Sequence, residues 1–230
     1  MVNSKTFLPN HVGIILDGNR RWAIQKGLSG VEGHRQGFFV LQEIADYALD
    51  RGIKHLSVYA FSTENWARSK EEVTFLMTFL RQMLKKEIAN LHKKGVRFLW
   101  LGKSDKLDKK LAEQLLAAQE LTKDNTNGTF NLCFNYGGQA EIVDAVNSII
   151  NNGKEVTEQS IADNLYGGSL VPSVDLLIRT SGEQRISNFM LWRSAYSELY
   201  FVDKNWPDFS KIDLDEAMAE YASRQRRFGK

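Results

Sequence analysis

Residues 17–22, DGNRRW, set one carboxylate among two guanidinium groups directly behind the apolar run VGIIL (12–16). Asp17 is the only acid of the stretch, Gly18 permits close backbone approach, and Asn19 and Arg21 can donate the hydrogen bonds that a diphosphate requires. Far along the chain, in RTSGEQR, Arg179 and Arg185 stand six residues apart on either side of a Ser-Gly turn. A guanidinium fork can give an anion two parallel bonds, each charge-assisted bond contributing roughly 1.5–3 kcal/mol. Asp17 together with Glu198 of SAYSELYF would offer hard oxygens to Mg2+, an ion that takes one or two carboxylates and fills its octahedron with phosphate and water. Only the fold can bring those two acids together. Taken singly, each stretch has a plainer reading: an Asx-turn with surface arginines for DGNRRW, and a surface glutamate at a strand edge for Glu198. Neither GxxxxGK[ST] nor a strand-linked GxGxxG occurs, so a nucleotide P-loop and a Rossmann site lack support.

These residues need elements to hold them. Strand-length apolar runs occur at VGIIL (12–16), HLSVYAF (55–61), VRFLWL (96–101), FNLCF (130–134) and VDLLI (174–178), with a late strand at ELYF (198–201). Helical patterns fill 33–51, 70–94, 104–123, 138–152 and 157–165, and a last helix over 213–227 opens on the acidic DLDE, suited to the helix dipole. NNGKEVTEQ (151–159) reads as a surface loop. Apolar strands alternating with helices predict an α/β fold, a mostly parallel six-stranded sheet flanked by helices, in a single domain over 1–230. Four strands run straight into unusual polar sequences: DGNRRW, STENWAR, NYGG and RTSGEQR. In an open parallel sheet ligands bind outside the carboxyl ends of strands, so topology alone places the site there.

The apolar residues of 70–94 exceed one core face. Val73, Leu76, Leu80, Leu84, Ile88 and Leu91 make one helical stripe and Phe75, Phe79 and Met83 a second, while Phe38 to Leu41 point around their own helix. Such a surface buries against another layer or a dimer partner, or lines an apolar tunnel beside the anion site. With 43% hydrophobic residues the chain can bury a core, and 30 basic against 28 acidic side chains leave a net charge of +2, so any anion site is local. The lone Cys133 allows no disulfide or zinc pattern and fits a reducing, cytoplasmic setting. The start has no signal-like stretch and no run approaches the roughly 18 apolar residues of a membrane span, which leaves at most peripheral membrane contact.

In this order, and across nearly the whole chain, DGNRRW, Gly33-His34, YAFSTENWAR, NYGG, LLIRTSGEQRISNFMLW and ELYF…WPDF resemble the motifs of the cis-prenyltransferases, the family of undecaprenyl diphosphate synthase. The resemblance implies a Mg2+-dependent homodimer that condenses isopentenyl diphosphate with an allylic diphosphate such as farnesyl diphosphate. By position, Asp17 would hold the metal on the allylic diphosphate, with Gly18, Asn19, Arg20, Arg21 and Trp22 as its loop and His34 nearby. Ser62, Thr63, Glu64, Trp66 and Arg68 would line the substrate region, and Asn65 would position the departing proton or the diphosphate that accepts it. Arg179, Arg185, Ile186 and Ser187 would bind isopentenyl diphosphate, and Glu198 would complete the metal site, from this chain or a partner subunit.

Two positions depart from the family: Gly30 and Gln139 stand where many long-chain members carry arginine. Arg20, where bacterial members often have glycine, is expected to restore one positive charge. Small Ala60, on the tunnel side of its strand, predicts a medium- or long-chain polyprenyl product, since bulk there goes with short products. A short-chain synthase and a non-catalytic partner subunit are the alternatives, and the complete set of Asp17, Asn65, Arg179, Arg185 and Glu198 argues for activity. An aspartate-dependent phosphohydrolase would need an acid two residues past Asp17, where Asn19 stands. The basic tail SRQRRFGK reads as a solvated helix end or a dimer contact, with no nucleic-acid partner expected.

Overall fold

Every apolar run foreseen above forms a strand, and the site lies where their loops converge. A computed structural model describes residues 8–224, so the basic tail from 225 onward falls outside the described residues. The strands are β1 (His11–Ile15), β2 (His55–Ser62), β3 (Val96–Leu101), β4 (Gly128–Tyr136), β5 (Leu176–Arg179) and β6 (Glu198–Phe201). The helices are α1 (Asn19–Gln25), α2 (Gly30–Asp50), α3 (Lys70–Lys93), α4 (Lys109–Thr122), α5 (Gly138–Asn151), α6 (Glu158–Asn164) and α7 (Lys211–Ser223). All strand pairings are parallel, in the order β3-β4-β2-β1-β5-β6.

The order explains the site. The chain leaves β1 toward β2 on one side and reaches β5 on the other, so the crevice above β1 is a topological switch point. Loops after β1, β2 and β5 are therefore neighbours although their sequences lie more than a hundred residues apart. Apolar side chains cover both sheet faces: Val12, Ile14, Leu56, Val58, Leu176 and Ile178 pack under the helices, while Tyr59, Leu99, Leu177 and Phe189 pack on the other side. A register shift between β2 and β4 at Tyr59 to Ser62 turns both Ala60 and Phe61 toward the helical layer.

The helix ends follow local chemistry. Ser29 caps α2 through the Glu32 amide in a capping box, which starts that helix ahead of the expected residue 33. Asp108 caps α4 and sets its start well after residue 104. α7 starts at Lys211, with Asp213 of the acidic DLDE as the capping-box partner of Ser210. The helix absent from the sequence reading is α1, which turns DGNRRW from a loop into a left-handed Gly18 N-cap and a helical first turn.

Candidate active site

The loop after β1 is held from below by backbone bonds. Trp206 N–H and the Thr180 hydroxyl both donate to the Asp17 carbonyl, at 2.9 and 2.7 Å. Gly18 adopts φ +102°, and a Cβ there would lie 2.4 Å from Asn205 Oδ1 and 2.9 Å from Ser181 Oγ, so conformation and space both require glycine. On the helix side, a Cβ at Gly37 would meet Asn19 Oδ1 at 2.0 Å and one at Gly33 would meet the Asn19 carbonyl at 2.1 Å. Helix α2 thus lies directly on the start of α1. Trp22 Nε1 donates to Asp208 at 2.7 Å and Trp206 Nε1 to the Gly37 carbonyl at 2.7 Å, which locks α1, α2 and the 206–208 turn into one support.

With its backbone so fixed, the Asp17 carboxylate faces Arg179. The guanidinium of Arg179, only 4% exposed, donates NH2 to Asp17 Oδ2 at 2.9 Å and NH1 to Ser187 Oγ at 2.7 Å and to the Arg185 carbonyl. Its Nε–H is buried without a hydrogen-bond partner among the described residues. Arg21 donates to the Ser181 carbonyl at 2.8 Å and to Glu183 at 2.9 Å, and Arg185 reaches the other Glu183 oxygen at 2.5 Å. The hydrogen bond from Arg185 and its charge hold the Glu183 carboxyl below its usual pKa. Ser181, Ser187, Asn188 and Met190 all have positive φ, a cluster of costly backbone conformations in one loop, as binding sites tend to concentrate.

The loop after β2 is a 3-10 turn, Thr63–Ala67. Asn65 Oδ1 accepts from Ser62 N–H at 3.1 Å, which leaves its Nδ2 free to act as a donor. Asn188 ties three loops together: its Nδ2 donates to Glu64 at 2.9 Å, its Oδ1 accepts from Gln139 N–H at 2.8 Å, and its carbonyl accepts from Gly138 N–H at 2.7 Å. His34 Nε2 meets Glu72 Oε1 at 3.3 Å, and Arg68 meets the same oxygen at 2.9 Å. Burial lowers the His34 pKa from its ordinary value of 6.5, with the Glu72 bond opposing it, so the ring is neutral at neutral pH.

Behind this mouth a cavity of about 1220 Å³ runs between α2 and α3 over the sheet. Its wall includes Phe38, Leu41, Ala60, Leu76, Phe79 and Met83. Phe79 and Met83 of the second apolar stripe of α3 therefore face a cavity, as do Leu76, Leu80, Leu84, Ile88 and Leu91 of the first. Only Leu84 and Ile88 of that helix are fully buried.

Residues 15–229 match the family model described as Putative undecaprenyl diphosphate synthase. The chain belongs to the cis-prenyltransferase family. Isoprenyl transferase 2 of Corynebacterium efficiens is 49% identical over 97% of this chain and 94% of its own. Decaprenyl diphosphate synthase of Mycobacterium tuberculosis is 50% identical over 96% of this chain and 77% of its own. Among solved structures, lavandulyl diphosphate synthase from Lavandula x intermedia in complex with dimethylallyl diphosphate is similar with a TM-score of 0.91 at 36% identity, covering 97% of this chain and 99% of that one. A probable undecaprenyl diphosphate synthase from Campylobacter jejuni gives 0.82 at 31% identity, covering 96% and 99%. As a cis-prenyltransferase the protein is an enzyme that elongates Z-prenyl chains.

Most of the residues nominated in this cis-prenyltransferase meet at the mouth. Asp17, Gly18, Asn19, Arg20 and Arg21 line the cavity from one side, with His34 below them. Ser62, Glu64, Asn65 and Arg68 line it from the β2 loop, and Arg179 and Ser187 from the β5 loop. Arg185 sits at the exposed rim. Trp22, Thr63, Trp66 and Ile186 stand behind the wall: Trp66 donates to Asn135 at 2.7 Å and packs edge-on against Phe61, and Ile186 packs on the lower core. Thr63 lies against Gly137, where a Cβ would be 2.7 Å from its Oγ1.

Glu198 does not join Asp17 within the chain. It pairs in register with Leu176 at the amino end of the sheet, opposite the mouth, and forms an ion pair with Arg224 at 2.8 Å. Parallel strands fix this outcome, because the first residue of β6 must lie at the end from which β1 starts. Among the described residues no three His, Cys, Asp or Glu side chains cluster as a metal site. Asn188, Thr180, Asn205, Trp206 and Glu183 were not singled out as site residues, although RTSGEQRISN and WPDF contain four of them.

Proposed function

We propose that this mouth binds two diphosphates and that the cavity holds the growing hydrocarbon, making the protein a synthase of medium- or long-chain Z-polyprenyl diphosphate. The cavity carries this reading. At about 30 Å³ per carbon, the volume a water molecule takes in the liquid, an isoprene unit needs about 150 Å³, so the space, which also takes in the mouth, has room for at most about eight units. Each unit buried contributes roughly 3–4 kcal/mol at about 0.8 kcal/mol per CH2, so elongation continues while apolar wall remains. Ala60 lines that wall and leaves room where a larger side chain would fill it.

Asp17 suits Mg2+ through the chemistry of its donors: one hard carboxylate at the mouth, beside guanidinium groups that can share the same diphosphate. The metal, when bound, neutralises charge on the leaving diphosphate. Arg21 and Arg20 would hold the allylic diphosphate, and Arg179, Arg185 and Ser187 the isopentenyl diphosphate. The allylic carbon–oxygen bond breaks, the isopentenyl double bond supplies the electron pair for the new carbon–carbon bond, and a proton leaves to restore an alkene. Charge grows on the departing diphosphate, so preorganised arginines stabilise the transition state more than the ground state. Asn65, presenting Nδ2, orients a diphosphate oxygen that takes the proton and is not itself the base. A metal role for Glu198 requires a second copy of the chain, as in the homodimer we propose. We further place the enzyme in the cytoplasm, acting at most peripherally on membranes, as one catalytic unit over 1–230. Among the described residues no helix is long and apolar enough to cross a membrane.

The test is incubation with labelled isopentenyl diphosphate and allylic starters of several lengths, with and without chelator, followed by sizing of the extracted products. Chelator-sensitive incorporation through many additions is expected. Arrest after one addition would sink the tunnel reading and mark a short-chain enzyme.

A further inference from the structure

Helix α5 begins at Gly138 without a cap of its own, because Gly137 has no side chain to accept its first amides. The cap comes from the loop after β5. The Asn188 carbonyl accepts from Gly138 N–H at 2.7 Å, and Asn188 Oδ1 accepts from Gln139 N–H at 2.8 Å. A Cβ at Gly137 would lie 2.7 Å from Thr63 Oγ1 and 3.0 Å from Asn188 Nδ2, so the missing side chain lets the Asn188 amide sit between α5 and the β2 loop. From there Nδ2 donates to Glu64 Oε1 at 2.9 Å.

Capping does not require that last bond. Asp caps a helix as well as Asn, and the partial positive charge at a helix N-terminus favours the carboxylate. What asparagine adds is a donor, and the donor goes to Glu64. Burial would raise the Glu64 pKa, but hydrogen bonds led by that from Asn188 hold it below its ordinary 4.5, so the accepting group is a carboxylate at neutral pH. Asn188 is also fixed on its other side. It has φ +65°, follows Ser187 at φ +46°, and is succeeded by the fully buried Phe189 and Met190. Ser187 Oγ accepts from Arg179, which donates on to Asp17. Glu64 stands one residue before Asn65 in the turn Thr63–Ala67. A single amide therefore joins the residues assigned to isopentenyl diphosphate to the turn that presents Asn65.

Resting on the reading that the mouth binds two diphosphates, we propose that Asn188 is a positioning residue, which holds Glu64 and with it the Asn65 turn in working geometry relative to the isopentenyl site. Without the bond, isopentenyl diphosphate still binds through Arg179, Arg185 and Ser187. The Asn65 turn is then free to shift, and the diphosphate oxygen that takes the proton loses its alignment. The consequence falls on kcat and not on the isopentenyl KM.

The experiment is steady-state kinetics on the wild type, Asn188→Asp, Glu64→Gln and the double variant Asn188→Asp/Glu64→Gln, each well below its melting transition. Asn188→Asp keeps both acceptors for α5 and sets a carboxylate against Glu64. Its kcat should fall about tenfold, the lower end for a hydrogen bond to a charged group, with the isopentenyl KM within about twofold of wild type. The double variant exchanges donor and acceptor, so in the Glu64→Gln background the same change at Asn188 should lower kcat by less than about threefold. An unchanged kcat in Asn188→Asp, or the same factor in both backgrounds, overturns the proposal, and continued chain elongation by the wild type leaves the two-diphosphate reading standing. A loss confined to the isopentenyl KM also overturns it, because Asn188 would then serve only its own loop. A wild type that incorporates no isopentenyl diphosphate overturns the reading and the proposal together.

Discussion

Glu183 occupies the place of an anion between the two proposed diphosphate subsites, and Glu183→Gln tests what it does there. Its two oxygens take Arg21 at 2.9 Å and Arg185 at 2.5 Å, so each guanidinium must give up an internal partner before it can serve a substrate. The side chains are 47% and 58% exposed for the arginines and 30% for Glu183, which places both pairs in the weak, solvent-screened class. Pairs of that class shift an equilibrium by up to about fivefold each. Glutamine keeps the shape and one acceptor oxygen but removes the competing charge. The KM for isopentenyl diphosphate, which we propose is bound through Arg185, and the KM for the allylic diphosphate, which we propose is bound through Arg21, should each fall by up to about fivefold at low salt. The difference from wild type should shrink near 1 M salt, where the Debye length is about 3 Å. Steady-state kinetics with each substrate varied in turn, at two ionic strengths, measures this. A rise in either KM would refute the reasoning, because it would mean that Glu183 holds the arginines in their working positions instead of competing for them.

Two further outcomes follow from single contacts. A Cβ at Gly30 would lie 3.8 Å from Arg20 Cγ, so Arg20 borders the position where the family resemblance leads one to expect arginine; Arg20→Gly should raise the allylic KM by up to about fivefold, and unchanged KM values for both substrates would dismiss the compensation. His11 is fully buried, with Nδ1 donating to the Pro172 carbonyl at 2.8 Å and Nε2 accepting from the Ser57 hydroxyl at 2.7 Å. Burial pushes its pKa from 6.5 down to about 3, so the fold favours the neutral ring. Its contribution to stability is complete above pH 6.5 and is lost as the pH falls toward 3, by about 2 kcal/mol at pH 5 at about 1.4 kcal/mol per pH unit. Unfolding free energies from urea melts at pH 7 and pH 5 should differ more in the wild type than in His11→Gln by this amount, and equal differences would show that His11 does not carry the acid sensitivity.

Much of the architecture was legible because it is written in local patterns. The six strands came from apolar runs of strand length, ELYF and VRFLWL to the residue. The helices came from 3.6-residue periodicity, with starts misplaced wherever a cap, such as Ser29 or Asp108, overrode the apolar pattern. α1 was missed because Asp, Gly and Asn mark turns equally well, and only the left-handed Gly18 starts a helix there.

The sequence by itself determined that the loops following the strands share one end of the sheet, because parallel connections carry every such loop to the same side. That Asp17 and Arg179 lie at the ends of adjacent strands depends on the order β2-β1-β5, a property of packing that is absent from any single segment. Tertiary structure alone decided that Asn188 joins three loops and that Glu198 points away from Asp17 to pair with Arg224. It also decided that both apolar stripes of α3, except Val73 and Phe75, line a cavity. The reason is the same in each case: periodicity reports which face of an element is apolar, and only the arrangement of neighbours says whether that face meets protein, solvent or a cavity.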